Sequence, residues 1–295
     1  MSFIGASRFL FPLSILLSLG SIVLFFYPGP VLSVEFTGGT LMELRLPEGK
    51  TQEDLSAAIK DFAPVSITKT RDRTLLIRSR ALSNEEHQSF TQHVEHQLGS
   101  VQELQFTTIG PTVGRNLRSR ALFAIGIAAI VIIVYLAFAF RKIPKRLSPW
   151  TFGISAVIAT LHDTCITLGI FTIISHYTSF EMDLLFVSSI LSIMGYSVND
   201  TIVVFDRIRD NLFLGSQRED FAALTEASLR QTMTRTINTG TGALFMLFTL
   251  FFFGAESIRW FVLSLIVGTI VGTYSSFFVA TPLLVLRKAR SPHHG

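Results

Sequence analysis

The chain has 295 residues, of which 49% are apolar and 27 are phenylalanine, and its mean hydropathy is +0.49. This composition is typical of a membrane protein and excludes an ordinary soluble domain. The net charge of +4 does not indicate a nucleic-acid partner, because the Lys and Arg residues lie at the ends of apolar runs instead of forming one patch. We therefore expect membrane lipid, and no nucleic acid, around the chain.

Six stretches are long enough to cross about 30 Å of hydrocarbon at about 1.5 Å per residue. They run from Phe9 to Val34, Ala121 to Phe140, Pro149 to Ile174, Asp183 to Phe205, Thr236 to Ala255 and Trp260 to Leu286. The third and fourth stretches reach this length only by including one carboxylate each, Asp163 and Asp200. The sequence thus predicts an all-α bundle of six membrane helices with two charged interruptions.

The first span ends in Tyr27-Pro28-Gly29-Pro30 without a small-residue cleavage pattern, which favours a retained anchor over a secretory signal. Basic residues cluster at 141–146 and again at 287–290, and the positive-inside rule places both segments in the cytoplasm. The loops at 175–183 and 254–259 are acidic instead. We therefore expect a multi-pass membrane protein with both termini cytoplasmic.

The segment from about 31 to 118 is then extracytoplasmic and reads as alternating strands and helices. Residues 41–46, 65–70, 74–78 and 101–107 suit strands, and Thr51-Gln52-Glu53-Asp54 and Ser83-Asn84-Glu85-Glu86 are capping boxes that start two helices. The order is roughly β-(β)-α-β-β-α-β, which predicts an inserted α+β domain of ferredoxin-like fold.

The predicted domains are therefore the first transmembrane helix at 1–30, the extracytoplasmic domain at 31–118 and a five-helix bundle at 119–295, with cytoplasmic loops at 141–148 and 206–234. Within the second loop, Ser216-Gln217-Arg218-Glu219 is another capping box. An amphipathic helix from about Phe221 to Ser228 follows it, and we expect this helix to lie at the membrane surface.

The third span carries Thr160, Asp163, Thr164 and Thr167 on one face, with His162 beside the carboxylate. The threonines could do no more than bond their own backbone carbonyls. His162 could relay protons or could satisfy a helix–helix hydrogen bond. Cys165, the only cysteine of the chain, lies in the same apolar run, and we interpret it as a packing residue instead of a metal ligand.

The fourth span carries a polar stripe made of Ser189, Ser192, Tyr196, Asn199 and Asp200. A charged group at the bilayer centre costs about 3 kcal/mol or more, so we expect Asp200 to face the bundle interior or a water-filled path. The alternative is that Asp200 lies near the inner interface, because Asp206 and Arg207 follow soon after it.

The fifth span begins with Thr232, Arg235, Thr236 and Thr239 on one face. Arg235 could snorkel to the inner surface, but it lies near the predicted depth of Asp200, and a buried carboxylate needs a partner. We therefore predict a switchable Asp200–Arg235 pair, in which protonation of the carboxylate releases the guanidinium. Asp163, Asn199, Tyr196 and His162 complete the predicted proton relay.

The sixth span carries Ser264, Gly268, Gly272 and Ser276 at intervals of four, the pattern of close helix packing. The sequence contains no Walker loop, zincin helix or nucleophile elbow, and Gly38-Gly39 alone does not make a phosphate loop. We therefore expect no enzyme activity and no cofactor, with protons as the coupling ion.

The chain closely resembles the SecF branch of the SecD/SecF family over essentially its whole length. The motifs that carry the resemblance are VEFTGGT (34–40), IGPTVG (109–114), LHDT (161–164), GYSVNDTIVVFDRIR (195–209), RQTMTRT (230–236) and GTYSS (272–276). The motif around Asp200 is the most specific. Glu35 stands where the family usually has Asp, which is a conservative departure.

The resemblance implies half of an RND-like transporter that pairs with SecD beside the SecYEG channel and uses the proton-motive force to draw a translocating preprotein outward. It also implies that Asp200 and Arg235 take part in proton transport. Two alternatives stay open from the residues: half of a proton-coupled small-molecule exporter of the RND class, and a passive scaffold of the export complex.

Overall fold

The computed structural model describes residues 3–62, 66–69, 74–141, 148–214 and 220–290. In chain order the helices and strands are α1 (Phe3–Phe26), α2 (Val34–Thr37), β1 (Gly39–Arg45), α3 (Gln52–Ala58), β2 (Ser66–Lys69), β3 (Thr74–Ser79), α4 (Asn84–Leu98), β4 (Gln102–Ile109), α5 (Pro111–Ala139), α6 (Pro149–Tyr177), α7 (Leu184–Leu214), α8 (Phe221–Phe253), α9 (Arg259–Ser275) and α10 (Thr281–Arg290). Short 3₁₀ turns occupy Lys60–Phe62 and Glu256–Ile258, and Ser276–Ala280 form a π-helical turn. Among these described residues, six helical segments are long and apolar enough to cross a membrane, which confirms the predicted number of spans.

The chain divides into two compact units. The helical unit comprises residues 3–30, 124–174 and 185–290, and the α+β unit comprises residues 31–123 and 175–184. The α+β unit therefore contains, besides the predicted soluble segment, the start of α5 and the whole connection between α6 and α7.

The α+β unit contains a four-stranded antiparallel sheet with the order β2-β3-β1-β4. This order, with α3 and α4 as the crossovers, confirms the ferredoxin-like fold. Both predicted capping boxes are formed: Thr51 caps α3 and Ser83 caps α4. Met42, Ile77 and Phe90 lie in the buried core of the α+β unit. This is expected for strands whose side chains alternate between two faces when helices cover one of those faces.

The helical unit has an inner and an outer set of helices. Half or more of the most apolar stretch of α6, α7 and the last span is buried, against 6% for α1 and α5 and 11% for α8. Within the core Phe140 stacks on Phe152 at a ring distance of 5.1 Å, and Phe205 meets Phe152 edge to face at 5.3 Å. The last span is α9, the π-helical turn and α10 in succession.

The connection between the fourth and fifth spans differs from the prediction. Residues 221–228 are the first two turns of α8, which continues through the fifth span, so that the predicted surface helix and the span form one helix of 33 residues. Asp220 caps it by accepting hydrogen bonds from the Ala222 and Ala223 amides. The predicted capping box at 216–219 lies outside the described residues, and α7 extends through residues 206–214.

Candidate functional site

A fully buried carboxylate, Asp163, lies at the junction of α6, α7 and α9. Its Oδ2 accepts hydrogen bonds from Ser197 Oγ at 2.5 Å and from Ser275 Oγ at 2.7 Å, and its Oδ1 lies 2.8 Å from His162 Nδ1. The side chain has no exposed surface. Because a charged group without water needs partners, the three hydrogen bonds make this position tolerable for a carboxylate.

His162 lies next to Asp163 and is also buried, with 7% of its surface exposed. Its Nδ1 contacts the carboxylate, while its Nε2 is buried and has no hydrogen-bond partner among the described residues. An imidazole that contacts a carboxylate through one nitrogen can exchange a proton with it. The structure places His162 beside Asp163, and its role in the relay stays a prediction.

Asp200 lies on α7, one helical turn after Ser197, and is 1% exposed. Its Oδ2 accepts a hydrogen bond from Thr273 Oγ1 of α9 at 3.3 Å. Because α7 continues to Leu214, Asp200 lies about 20 Å from that end of the helix. Asp206, Arg207, Arg209 and Asp210 lie within that stretch, so the interfacial alternative stays open.

Arg235 lies on α8, and its side chain is exposed in the isolated chain. Cross-helix hydrogen bonds set the level of α8 against α7: Arg207 Nε donates to Gln231 at 2.5 Å and Asn211 Nδ2 donates to Ser228 at 2.8 Å. Extending this register places Arg235 about one helical turn, some 5 Å, from the level of Asp200. No ion pair joins the two among the described residues, so the predicted direct contact is not formed within this chain alone.

Several polar residues of α7 and α8, two of them from the predicted relay, are exposed in the isolated chain. Asn199 on α7 is exposed, as are Arg235, Asn238 and Thr239 on α8. The Tyr196 side chain is half-buried and points toward α8, since a Cβ built on Gly240 would lie 3.4 Å from its hydroxyl. We refer to Asn199, Arg235, Asn238 and Thr239 as the open polar face.

Most of the threonine hydroxyls bond their own helix. Thr160, Thr164, Thr232 and Thr239 each donate to a backbone carbonyl of the preceding turn. Thr167 and Thr236 differ, because their hydroxyls are buried and have no hydrogen-bond partner among the described residues. Thr236 therefore places an unused polar group inside the bundle, one residue after Arg235.

The small residues of the sixth span face α7. A Cβ built on Gly268 would overlap the Ile193 side chain, and one on Gly272 would lie 3.3 Å from Ser197 Cβ. Ser264 is fully buried, and Ser276 Oγ lies 3.1 Å from Thr201 Oγ1. Close packing therefore brings α9 near enough for its hydroxyls to reach both carboxylates.

The hydroxyl donors to the two carboxylates, Ser197, Ser275 and Thr273, are not among the residues to which the sequence pattern gave a role. Ser197 lies three residues before Asp200, so helical spacing could have suggested a shared face. The two donors on α9 depend on the depth at which α9 passes α7, which no local pattern shows. Ser275 also directly precedes the π-helical turn, an irregularity that is frequent at functional sites.

The described residues contain no group of three or more His, Cys, Asp or Glu side chains that could hold a metal. The two carboxylates instead contact hydroxyls and an imidazole, groups that exchange protons. Six spans, carboxylates buried in the inner helices and an inserted ferredoxin-like domain define an RND-like membrane protein. A family model described as protein export membrane protein SecD/SecF, C-terminal, matches residues 89–290. The chain belongs to the SecD/SecF family.

Relatives and solved structures agree with this membership. The protein translocase subunit SecF of Thermobaculum terrenum is 38% identical over 280 residues, covering 90% of this chain and 87% of the relative. A crystal structure of SecDF, described as a translocon-associated membrane protein, matches 98% of this chain with 32% identity and a TM-score of 0.85. A second SecDF structure, in a super-membrane-facing form, matches with 31% identity and a TM-score of 0.70. This chain spans 39% of each SecDF chain. These matches favour protein export over the small-molecule exporter that the residues left open.

Proposed function

We propose that this chain is a SecF-type subunit that pairs with SecD and converts the proton-motive force into movement of its α+β unit during protein export. It acts without catalysis and without a cofactor, with protons as the coupling ion. It lies in the bacterial inner membrane with both termini in the cytoplasm and residues 31–118 outside. Its work is the late stage of translocation, beside the SecYEG channel, where the α+β unit draws the preprotein outward.

The observation that carries the proposal is the pair of carboxylates buried in adjacent inner helices, Asp163 and Asp200. Ionisable residues inside a membrane bundle are costly and mark ion pathways. A proton that arrives at either carboxylate replaces a charge by a hydrogen-bond donor and so changes the bonds that it makes with α9. One elementary charge crossing the membrane field supplies about 2.3 kcal/mol per 100 mV, enough to bias two packings of a bundle.

The open polar face supports a membrane partner. A guanidinium and amides exposed to lipid on α7 and α8 would be expensive, so a second membrane protein is expected to cover them. The two SecDF structures described above are of a longer chain, of which this chain spans 39%. SecD is the partner that fits, and it would complete the surroundings of Arg235.

The two SecDF structures also support the proposal that this chain changes conformation as it works. They match this chain over the same 98% of its length and at nearly the same identity, yet their TM-scores are 0.85 and 0.70. Similar sequences therefore occur in two arrangements. A bundle whose buried carboxylates change charge has the means to select between two such arrangements.

The test is export measured in vesicles that contain SecYEG, SecD and this chain and that hold a proton gradient. We expect Asp200→Asn to assemble normally and to lose the gradient-dependent part of export while keeping the part that needs no gradient. Wild-type stimulation by the gradient in this variant would contradict the proposal and would favour the passive scaffold.

A further inference from the structure

The connection between α6 and α7 is built into the α+β unit by backbone pairing. Leu32 and Met182 form a parallel β-bridge, in which the Ser33 amide donates to the Met182 carbonyl and the Met182 amide donates to the Val31 carbonyl, both at 2.9 Å. Phe180 and Met182 are buried, with 3% and 4% of their surfaces exposed. The segment at 175–184, which we refer to as the joint, is therefore part of the folded domain.

An ion pair holds the middle of the joint. Arg78 on β3 pairs with Glu181, and the two side chains are only 19% and 17% exposed. Arg78 also donates to the Leu32 carbonyl at 3.0 Å, so one guanidinium ties the joint to the start of the domain. Burial raises the pKa of the Glu181 carboxyl above its usual value, and Arg78 opposes that rise. A half-buried pair of this kind is specific, and removing one partner leaves the other uncompensated.

Both ends of the joint are also bonded to the α+β unit. The Val31 amide donates to Ser175 Oγ, near the end of α6, at 3.2 Å. The Leu184 amide, the first of α7, donates to Glu35 Oε2 at 2.7 Å. A carboxylate that accepts from the first amide of a helix also complements the positive end of the helix dipole.

The two helices that the joint connects are those that carry the buried carboxylates, Asp163 on α6 and Asp200 on α7. A shift or tilt of either helix must pass into the joint through a continuous backbone. Because the joint is paired, buried and salt-bridged, it can pass that displacement to the sheet instead of absorbing it as a loose loop would.

We propose that the joint transmits the movement of α6 and α7 to the α+β unit, and that Arg78, Glu181 and Glu35 are its coupling residues. The inference rests on the proposed function and assigns to it a mechanical path. A second ion pair of the same domain, Arg80 with Glu86, is 64% and 37% exposed and lies outside the joint. It provides a matched control.

The test compares Arg78→Ala, Glu181→Ala and Glu35→Ala with Arg80→Ala and Asp200→Asn in the gradient-bearing vesicles described above. We expect the three joint variants to lose most of the gradient-dependent stimulation while export without a gradient and complex assembly stay at wild-type levels. Arg80→Ala should behave as wild type. Limited proteolysis of each variant checks that the α+β unit remains folded.

A covalent replacement for the ion pair keeps the test decisive if single variants are weakly folded. Bridge partners lie about 4.8 Å apart, within disulfide reach, so Leu32→Cys with Met182→Cys can staple the joint in a Cys165→Ala background. Oxidation should restore stimulation to the Arg78→Ala variant, and reduction should remove it again.

The outcomes separate the joint from the function that it serves. If Asp200→Asn loses stimulation while the three joint variants retain it, the proposed role of the joint is wrong and the proposed function stands. If Arg80→Ala loses as much stimulation as Arg78→Ala, the loss reflects damage to the domain, and the proposed role of the joint is again wrong. If Asp200→Asn keeps full stimulation, the proposed function is contradicted, and so is the role of the joint that rests on it.

Discussion

The two buried carboxylates lie on neighbouring helices but in contrasting surroundings. Asp163 has partners on three helices at 2.5 to 2.8 Å, all within the chain. Among the described residues Asp200 accepts from a single hydroxyl, Thr273, at 3.3 Å, and it lies one helical turn from the level of an exposed arginine.

This contrast shows which part of the site the chain completes by itself. The surroundings of Asp163 are closed and hold α6, α7 and α9 together. Asp200 is almost as buried, with 1% of its surface exposed, but among the described residues it accepts from one hydroxyl only. A carboxylate with three short hydrogen bonds is expected to matter first for stability, and one with a single long hydrogen bond first for function.

The largest expected effect on stability is that of Asp163→Ala. Removing the carboxylate leaves the Ser197 hydroxyl and the His162 Nδ1 without their partner, whereas the Ser275 hydroxyl keeps the Gly272 carbonyl at 3.0 Å. Each unsatisfied buried group costs about 1–3 kcal/mol. We expect a loss of at least about 2 kcal/mol, measured as a lower midpoint of unfolding in detergent. Asp200→Ala, with one long hydrogen bond to lose, is the matched control and should cost less than half as much. Equal losses of stability in the two variants would contradict the difference between the surroundings of Asp163 and Asp200.

The next largest effect on stability is expected from the packing that brings α9 close to Asp163. Gly268→Ala places a methyl group on top of the Ile193 side chain, and overpacking of this kind costs about 1–3 kcal/mol. Gly242→Ala is the control, because among the described residues no atom outside the adjoining turns of α8 lies within 4 Å of the added carbon. Alanine also favours a helix by up to about 1 kcal/mol. The unfolding midpoints should move in opposite directions. A Gly268 variant as stable as wild type would show that α9 is not held this closely.

A smaller effect is expected on the open polar face, where a partner subunit should lower the reactivity of an introduced cysteine. In a Cys165→Ala background, Asn199→Cys should react more slowly with a maleimide when SecD is present than when the chain is alone. Ile130→Cys on α5, at a position 61% exposed, is the control and should react at the same rate in both cases. Unchanged reactivity of Asn199→Cys would mean that SecD does not cover this face.

The smallest expected effect on stability comes from ionisation of Glu86. This carboxylate is exposed to water, in contrast to the enclosed Asp163. The side-chain hydrogen bond from Arg80, followed by the Ser83 amide, lowers the pKa of Glu86 to about 2 from 4.5. A depressed pKa stabilises the folded state above pH 4.5, and this contribution is lost as the pH falls toward 2. The stability difference between wild type and Glu86→Gln should therefore vanish over that range, as measured by chemical unfolding at each pH. A difference that keeps its neutral-pH size at about pH 2 would contradict this assignment.

The sequence predicted the elements whose signals are local. Apolar runs of sufficient length predicted the six spans, and the spacing of Thr51 with Asp54 and of Ser83 with Glu86 predicted the two domain helices. The carboxylates were found in the same way, because a charge inside an apolar run is visible without a structure.

What the sequence could not show depends on how helices meet. The donors Ser275 and Thr273 reach α6 and α7 only because Gly268 and Gly272 let α9 approach closely. The Asp200–Arg235 pair was predicted from depth alone, but depth does not fix which way a side chain points, and Arg235 is exposed in this chain. The joint pairs residues far apart in the chain, such as Arg78 with Glu181, and no periodic pattern reports that proximity.

Whether Asp200 and Arg235 act together can be decided by a double-substitution cycle of Asp200→Glu and Arg235→Lys, read as gradient-dependent export in vesicles with SecD and SecYEG. Both substitutions keep the charge but alter its position, so each single variant should keep a measurable part of the gradient-dependent stimulation of export. If the carboxylate and the guanidinium act as one unit in the assembled complex, the double variant will lose little more than either single variant. Losses that multiply, as they do for independent sites, would contradict a coupled pair.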